Sequence, residues 1–340
     1  MLELWEPHGA FERLEEYLAE ELRPGLVAEV FLGYRLGEVL RRTAAPAPLE
    51  PCPLPALAAR IVSEGASRRV AGPLRVGEWS PTWTADDHAA AVESVRAAIA
   101  RGDVYQVNLV QHLSAPYEGD PAALASALRP LRPLHPWPLA GAGWAIVSAS
   151  PELFLERAGD VLRTKPIKGT RPAGEPVEGE KDRAEHLMIV DLERNDLSRV
   201  CEIGRVRWPA LLEQRQLAGV SQLVSTVEGT LRPGVGLAEI LAATFPGGSV
   251  TGAPKIAAVD LVAALEPVGR GASMGALGRV HPNGDFTFAL TIRTFAAAEG
   301  TLHLWVGGGV VWDSEPGAEI EETWVKARPL LAAVGGPVPA

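Results

Sequence analysis

From residue 84 to residue 102 the apolar positions follow a helical period, with Val92, Val95 and Ile99 three and four residues apart on one face. Thr84 with Asp87 three positions on makes a capping box, and Gly102 stands where a helix takes a left-handed terminating residue. The period then drops to two. Tyr105, Val107, Leu109 and Leu113 alternate with Gln106, Asn108 and His112, which predicts a strand. Asp120-Pro121 opens a further helix. Residues 143–148, 153–156 and 161–164 read as successive strands and 180–199 as the longest helix. Residues 219–229 are strand-like, and 237–244 and 254–265 helical.

The clearest hairpin turns at Asn283-Gly284, a pair that suits the positive φ angles of a tight turn. In its outgoing strand Phe286, Phe288, Leu290 and Ile292 share one face, and Thr287, Ala289, Thr291 and Arg293 the other. The second face is small and polar and leaves room beside an arginine. A strand over 302–312 carries Gly307-Gly308-Gly309, and a last helix starts near Pro316. Ahead of all this lie a short helix at 11–22, a strand-like stretch with Gly33-Tyr34-Arg35, and an Ala-, Pro- and Gly-rich connection over 43–82. The change of composition near Trp83 divides the chain into an N-terminal region, 1–82, packing on a main domain, 83–335. Many strands without regular strand–helix–strand alternation predict an α+β fold with large antiparallel sheets.

Composition narrows the function classes. At 340 residues with 47% hydrophobic and 22% charged residues, the chain has ample core for a soluble globular protein. Its net charge of −10 and lack of a basic run speak against nucleic acid as a partner. No apolar stretch is long enough for a membrane span, and the acidic start Met1–Glu6 has no signal-peptide character. Cys52 and Cys201 stand far apart, with no spacing for zinc or a disulfide framework, which fits a reducing cytoplasm.

Among 32 basic residues only five are lysines, and two of them, Lys165 and Lys168, fall in Thr164–Pro172. Unlike a guanidinium, an amine can lose its proton and act as a nucleophile. A pair of solvated loop lysines is the plain alternative. In the last helix Glu319, Glu322 and Lys326 form one stripe, and Asp182 and Glu185 repeat the carboxylate spacing in the 180–199 helix. Such stripes suit a solvated face. Brought together they would also suit Mg²⁺, which takes oxygen ligands and keeps several waters. Phe245–Lys255 has the Gly247/Gly252 separation of a phosphate loop, but Ala253 stands where that loop needs lysine. It reads either as an anion-binding turn or as a tight turn before a helix.

Several stretches together resemble the chorismate-utilising enzymes, which include anthranilate synthase component I and aminodeoxychorismate synthase component I. They are Arg101–Leu109, Ala149-Ser150-Pro151-Glu152, 166–174, Glu185–Leu192 with Arg194–Leu197, Phe245–Lys255, Ile292-Arg293-Thr294, and Gly307–Lys326. The resemblance runs in order over about residues 83–330 and implies two large antiparallel β-sheets packed face to face with helices outside, the active site between them. The branch with Pro-Ile-Lys-Gly-Thr, as at Pro166–Thr170 here, is similar to the aminodeoxychorismate synthases; anthranilate synthases have alanine in place of Lys168. The resemblance implies Lys168 as a covalent nucleophile toward chorismate, its pKa depressed by a closed pocket, and Glu152 as general acid. It implies Glu185 and Glu322 as Mg²⁺ ligands, with Asp182 and Glu319 in support. Arg293 and Gly307, Gly308 and Gly309 would bind a substrate carboxylate, and Thr251, Lys326, Gln106 and Thr170 would line the pocket. Isochorismate and salicylate synthases carry a lysine base where this chain has Gln106.

The chain departs from the family pattern at Gln222, where histidine is usual, and at Ser273, where an aromatic is usual. Its N-terminal region is short and lacks the Leu-Leu-Glu-Ser element of a tryptophan pocket; Leu211–Gln214 lies far downstream. Tryptophan feedback is therefore not expected. No Cys-His glutaminase pair is evident, so ammonia would come from a separate glutamine amidotransferase. No lyase segment is evident either, so 4-amino-4-deoxychorismate would be the product, on the way to 4-aminobenzoate and folate. The alternatives are an anthranilate synthase component I and a catalytically silent chorismate-binding subunit.

Overall fold

The computed structural model describes residues 1–65, 72–172, 174–177, 179–217 and 220–337; the side chains of Thr170, Pro172, Lys181, Leu217 and Val220 lie outside that description. Two antiparallel sheets dominate. The larger has ten strands, in spatial order Leu2–Leu4, Leu57–Ser63, Leu26–Leu32, Ala276–Val280, Phe286–Leu290, Leu153–Ala158, Val161–Lys165, Val220–Thr230 and Ile167–Pro172, with Arg207–Leu217 also paired to Val220–Thr230. The smaller has eight. Its main path runs Gly252–Ala253, Gln106–Gly119, Thr301–Val310, Thr294–Ala298, Trp144–Ser148 and Leu139–Gly141, and Leu74–Val76 and Ser80–Pro81 pair with Gln106–Gly119.

One core lies where apolar faces of both sheets meet, joining Phe31, Leu57, Leu155, Phe286 and Phe288 to Val107, Leu109 and Trp305. Each such side chain, fully buried, contributes roughly 1.5–3 kcal/mol. A second core sits between the smaller sheet and its helices, with Leu113, Phe295, Leu302 and Leu304 against Leu124, Leu128, Ala327 and Leu330. The expected α+β architecture with helices outside the sheets is what forms.

Local signals account for many boundaries. The capping box is made in full: Asp87 N donates to Thr84 Oγ1, Thr84 N to the Asp87 carboxylate, and helix Ala85–Ala100 follows. Asp120 accepts from Ala122 N at the head of Pro121–Leu128. Asn283-Gly284 joins Ala276–Val280 to Phe286–Leu290, with Gly284 at φ 84°.

Three expectations fail. The connection over 43–82 is irregular only in part, for Leu57–Ser63 pairs with Leu26–Leu32 inside the large sheet. Residues 1–82 thus supply strands to both sheets. The strand Arg207–Leu217 has no counterpart among the expected elements, because its apolar run Trp208–Leu212 and polar run Glu213–Gln216 do not alternate. Finally, the strand that starts at Phe286 stops at Leu290, and Arg293 turns to φ 51°.

That stop places the site. Four residues after Leu290 the chain enters the other sheet as Thr294–Ala298. The segment after Trp144–Ser148 crosses in the opposite sense to become Leu153–Ala158. The two crossovers are bonded to each other: Ala149 N donates to Arg293 O at 2.9 Å, Leu290 N to Glu152 O at 3.0 Å, and the Ser148 and Thr294 hydroxyls meet at 2.7 Å. Glu152 and Arg293 are thereby fixed side by side where the sheets exchange strands.

Candidate active site

A cavity of about 430 Å³ opens at this junction. Glu152 and Arg293 enter from the crossovers, Lys168 and Gly169 from strand Ile167–Pro172, and Asp182 and Glu185 from helix Glu180–Ser198. Gly307, Gly308 and Gly309 floor it, and Glu319, Glu322 and Lys326 reach in from helix Pro316–Val334. The Asp182 and Glu185 stripe is thus mostly withdrawn from water, whereas the other is split, with the Glu322 side chain 55% exposed. Glu319 is only 7% exposed, and Lys326 Nζ bridges Glu322 Oε1 at 2.7 Å and Gly307 O at 3.0 Å.

Lys168 Nζ lies 3.3 Å from Glu185 Oε1 and donates to Ser249 O at 3.2 Å. Burial alone would lower its pKa, but the charges of Glu185 and Glu152 outweigh burial and hold it above the usual lysine value. This corrects the expected depressed amine. The buried carboxyl of Glu152 is pushed up, chiefly by desolvation, although Lys168, a Ser249 hydrogen bond and Arg293 work against the shift. Burial works against the Arg293 charge, which Glu152 partly supports. The left-handed backbone at Arg293 costs about 1–3 kcal/mol in a non-glycine residue, and it turns that side chain toward the cavity.

Other expected site residues lie elsewhere. Gln106 is buried behind the floor, donating to Glu185 Oε1 at 2.6 Å, rather than lining the cavity. Thr251 is also withdrawn, because its hydroxyl donates to Gly247 O at 2.9 Å and closes the turn at Gly248–Val250. Thr170 pairs by its backbone with Gln222; its side chain lies outside the described residues. Of the two departures, Gln222 lines the cavity, whereas Ser273 is buried beside it, donating to Thr291 O. Ser249, which pattern did not single out, reaches both Glu152 and Lys168. Lys255 does not present an anion site, for its Nζ is bound to Asp196 at 2.6 Å and Thr244 O at 2.8 Å.

Behind Glu152, buried Glu193 accepts from Thr164 Oγ1 at 2.8 Å, and desolvation pushes its pKa to about 8. A carboxyl raised in the folded state stays protonated there while the unfolded chain ionises. Folding stability is then lost as pH rises from about 4.3, the unfolded value, towards about 8. Glu193→Gln, neutral at every pH, is expected to unfold at higher urea than the parent at pH 8, with the gap narrowing towards pH 5. An unchanged gap across that range would refute the buried neutral carboxyl.

Among the described residues no three His, Cys, Asp or Glu side chains cluster tightly enough to cage a metal unaided. The glycine floor nonetheless keeps space open between carboxylates of two helices. A Cβ on Gly308 would stand 3.5 Å from Glu322 Oε1 and 3.7 Å from Glu319 Oε2, and one on Gly309 only 2.8 Å from Glu185 Oε1. Asp182 is engaged by Arg171 at 2.5 Å. Two carboxylates facing a cavity that can admit an anion fit Mg²⁺, which binds through few protein oxygens and shares a substrate's.

Comparison with known proteins agrees with this architecture. Residues 43–332 match the family of chorismate binding enzymes. An anthranilate synthase component 1 of Streptomyces coelicolor is 39% identical over 316 residues, covering 88% of this chain and 59% of that protein. An aminodeoxychorismate synthase component 1 of Bacillus subtilis is 38% identical over 275 residues, covering 77% of this chain and 58% of that protein. The chain thus spans less than two thirds of the length of these relatives. Anthranilate synthase component I of Streptococcus pneumoniae superposes with a TM-score of 0.79 at 27% identity, over 91% of this chain and 81% of that one. No helix among the described residues is long and apolar enough to cross a membrane. With its matched span, its two crossed sheets and the cavity between them, the chain belongs to the chorismate-binding enzymes, in the group that takes in anthranilate synthase and aminodeoxychorismate synthase components I.

Proposed function

We propose that the protein is an aminodeoxychorismate synthase component I, joining ammonia to chorismate to give 4-amino-4-deoxychorismate and water. The observation that carries this reading is the Lys168 amine beside the buried Glu152 carboxyl in one cavity with Arg293. Relatives of both synthase types match equally well, so the branch rests on Lys168 within Pro166–Thr170.

In the resting site Lys168 holds a proton. Moving one proton from Lys168 to Glu152 makes both groups neutral, the form burial favours for each and the form each needs to react. Lys168 Nζ then adds to C2 of chorismate, the ring double bond shifts, and the C4–O bond breaks as Glu152 protonates the departing oxygen to water. Ammonia adds at C4, the C2–N bond breaks, and Lys168 is released. Arg293 offers its guanidinium to a substrate carboxylate, with the open floor at Gly307–Gly309 beside it. Mg²⁺, held by Glu185 and Glu322 with Glu319 beside them, would neutralise and orient the ring carboxylate. A glutamine amidotransferase component would deliver the ammonia, in keeping with the "component 1" designation of the relatives. A cytoplasmic setting suits such a pair.

Incubation with chorismate, ammonium and Mg²⁺ tests the assignment. The expected product yields 4-aminobenzoate only after a separate lyase is added, whereas fluorescent anthranilate without lyase would reassign the branch. Chorismate binding without turnover would make the chain a silent subunit. Chelation with EDTA is expected to abolish turnover and added Mg²⁺ to restore it; EDTA-insensitive turnover would remove the metal from the proposal.

A further inference from the structure

The turn Gly248–Val250 puts one residue in contact with both reactive groups. Ser249 Oγ donates to Glu152 Oε1 at 2.9 Å, and the Ser249 carbonyl accepts from Lys168 Nζ at 3.2 Å. Ile167 N approaches the same Glu152 Oε1 at 3.4 Å. Among the described residues no donor meets Glu152 Oε2, while the Glu152 side chain lines the cavity. The turn is held from several sides: Thr251 Oγ1 donates to Gly247 O, Arg270 Nη1 donates to Val250 O at 2.8 Å, and Gly252–Ala253 pairs with Val107 and Gln106. Ser249 is 5% exposed, so its hydroxyl has little freedom to swing to water.

A protonated carboxyl has one O–H and one carbonyl oxygen, and an oxygen that already accepts donors is the carbonyl. We propose that Ser249 is a positioning residue for the acid step: by occupying Glu152 Oε1 it keeps the transferable proton on Oε2, aimed at the leaving oxygen in the cavity. When that proton passes to the substrate oxygen, the C4–O bond breaks, water departs, and the charge left on Glu152 keeps the Ser249 hydrogen bond. A bond to a charged acceptor is stronger than one to a neutral acceptor, so Ser249 also favours proton release. The inference rests on the reading of Glu152 as the general acid.

The groups facing Glu152 are Lys168 on strand Ile167–Pro172, Arg293 at the crossover and Glu193 on helix Glu180–Ser198, with Glu185 beyond Lys168. All remain in Ser249→Ala, so the change isolates one hydroxyl. At rest Glu152 is ionised beside protonated Lys168, and a second proton taken up by Glu152 from solvent leaves no neutral amine, so turnover falls as pH drops through the Glu152 pKa. Without the Ser249 donor the ionised form loses support. The acid limb of ammonia-dependent chorismate consumption is therefore expected to move to higher pH in Ser249→Ala. The kcat should fall on the order of 10- to 100-fold, matching one hydrogen bond to a charged group, with KM for chorismate little changed. Ser249→Thr, which restores a hydroxyl, should recover both rate and profile.

A Ser249→Ala limb that coincides with the parent's, or an equal parallel loss in Ala and Thr variants, would overturn the inference. Urea midpoints equal to the parent's keep either result from being a folding defect. Glu152→Gln separates this from the underlying reading. If that variant keeps full activity, the acid assignment itself falls. If it is inactive while Ser249→Ala keeps the parental limb, only the role of Ser249 is lost.

Discussion

Lys168→Ala is expected to lose ammonia-dependent chorismate turnover by on the order of 10³-fold or more, as removal of a covalent nucleophile does. The size of the effect follows from the site. The Lys168 side chain is only 13% exposed, its Nζ is bracketed by Glu185 at 3.3 Å and Ser249 O at 3.2 Å, and among the described residues no other lysine stands in reach of Glu152. Lys326, the other amine in the cavity, is tied to Glu322 on its own helix and to Gly307 O on strand Thr301–Val310. Lys168→Arg separates nucleophile from charge, because a guanidinium can keep the Glu185 ion pair but cannot give up its proton. Both variants should be equally inactive. Turnover in the arginine variant near the parental rate would reduce Lys168 to a fixed positive charge. Intact mass spectrometry supplies the direct readout: without ammonia, the parent should gain the mass of chorismate less one water, and neither variant should.

How much of this was legible beforehand depends on the range of the interaction that decides each feature. Thr84 with Asp87, Asp120-Pro121 and Asn283-Gly284 act within four residues, and each produces the element expected of it. Arg207–Leu217 becomes a strand because Val220–Thr230 offers it a partner; its apolar run, Trp208–Leu212, is followed by a polar one, Glu213–Gln216, so no alternation marks it. The alternation from Phe286 to Arg293 runs three residues past the end of the strand at Leu290. Nothing in its polarity records that Leu290 N must meet Glu152 O, a contact 138 positions away. The site shows the same division. Spacing could put Glu319, Glu322 and Lys326 in one stripe, but not decide whether it faced water or a cavity. Lys168 could be picked out by scarcity, yet the sign of its pKa shift is set by Glu185 from a helix and Glu152 from a crossover. Ser249 carries no sequence signal of its contacts, because a serine in a glycine-rich turn already has a local explanation.

The three consecutive glycines of strand Thr301–Val310 are expected to fail in three different ways when changed singly to alanine. At Gly307 the new Cβ would overlap the Leu109 carbonyl oxygen and stand 2.7 Å from Leu109 C and Val110 Cα. These are backbone atoms of the neighbouring strand, paired through Val110, so they cannot yield without breaking the ladder. Gly307→Ala should therefore lose stability on the order of 3 kcal/mol, the upper end for overpacking, read as a lower urea midpoint. At Gly309 the obstruction is Gln106 Nε2, with Glu185 Oε1 at 2.8 Å, both ends of side chains. Here the fold can survive, but Gln106 must leave Glu185, and Glu185 must leave the place from which it meets Lys168 and would meet Mg²⁺. Gly309→Ala should keep nearly the parental urea midpoint while turnover falls on the order of 10²-fold, the scale set by losing a supporting partner of a metal ligand. Its Mg²⁺ affinity, measured by calorimetry with the substrate absent, should fall in parallel. Gly308→Ala meets only Lys326 Nζ at 3.2 Å and Glu322 Oε1 at 3.5 Å, and the long Lys326 side chain can move aside. It should be the mildest of the three in both assays. If Gly309→Ala lost stability as severely as Gly307→Ala, the floor would be a packing feature alone; if it kept full turnover, Glu185 would not need the position Gln106 gives it.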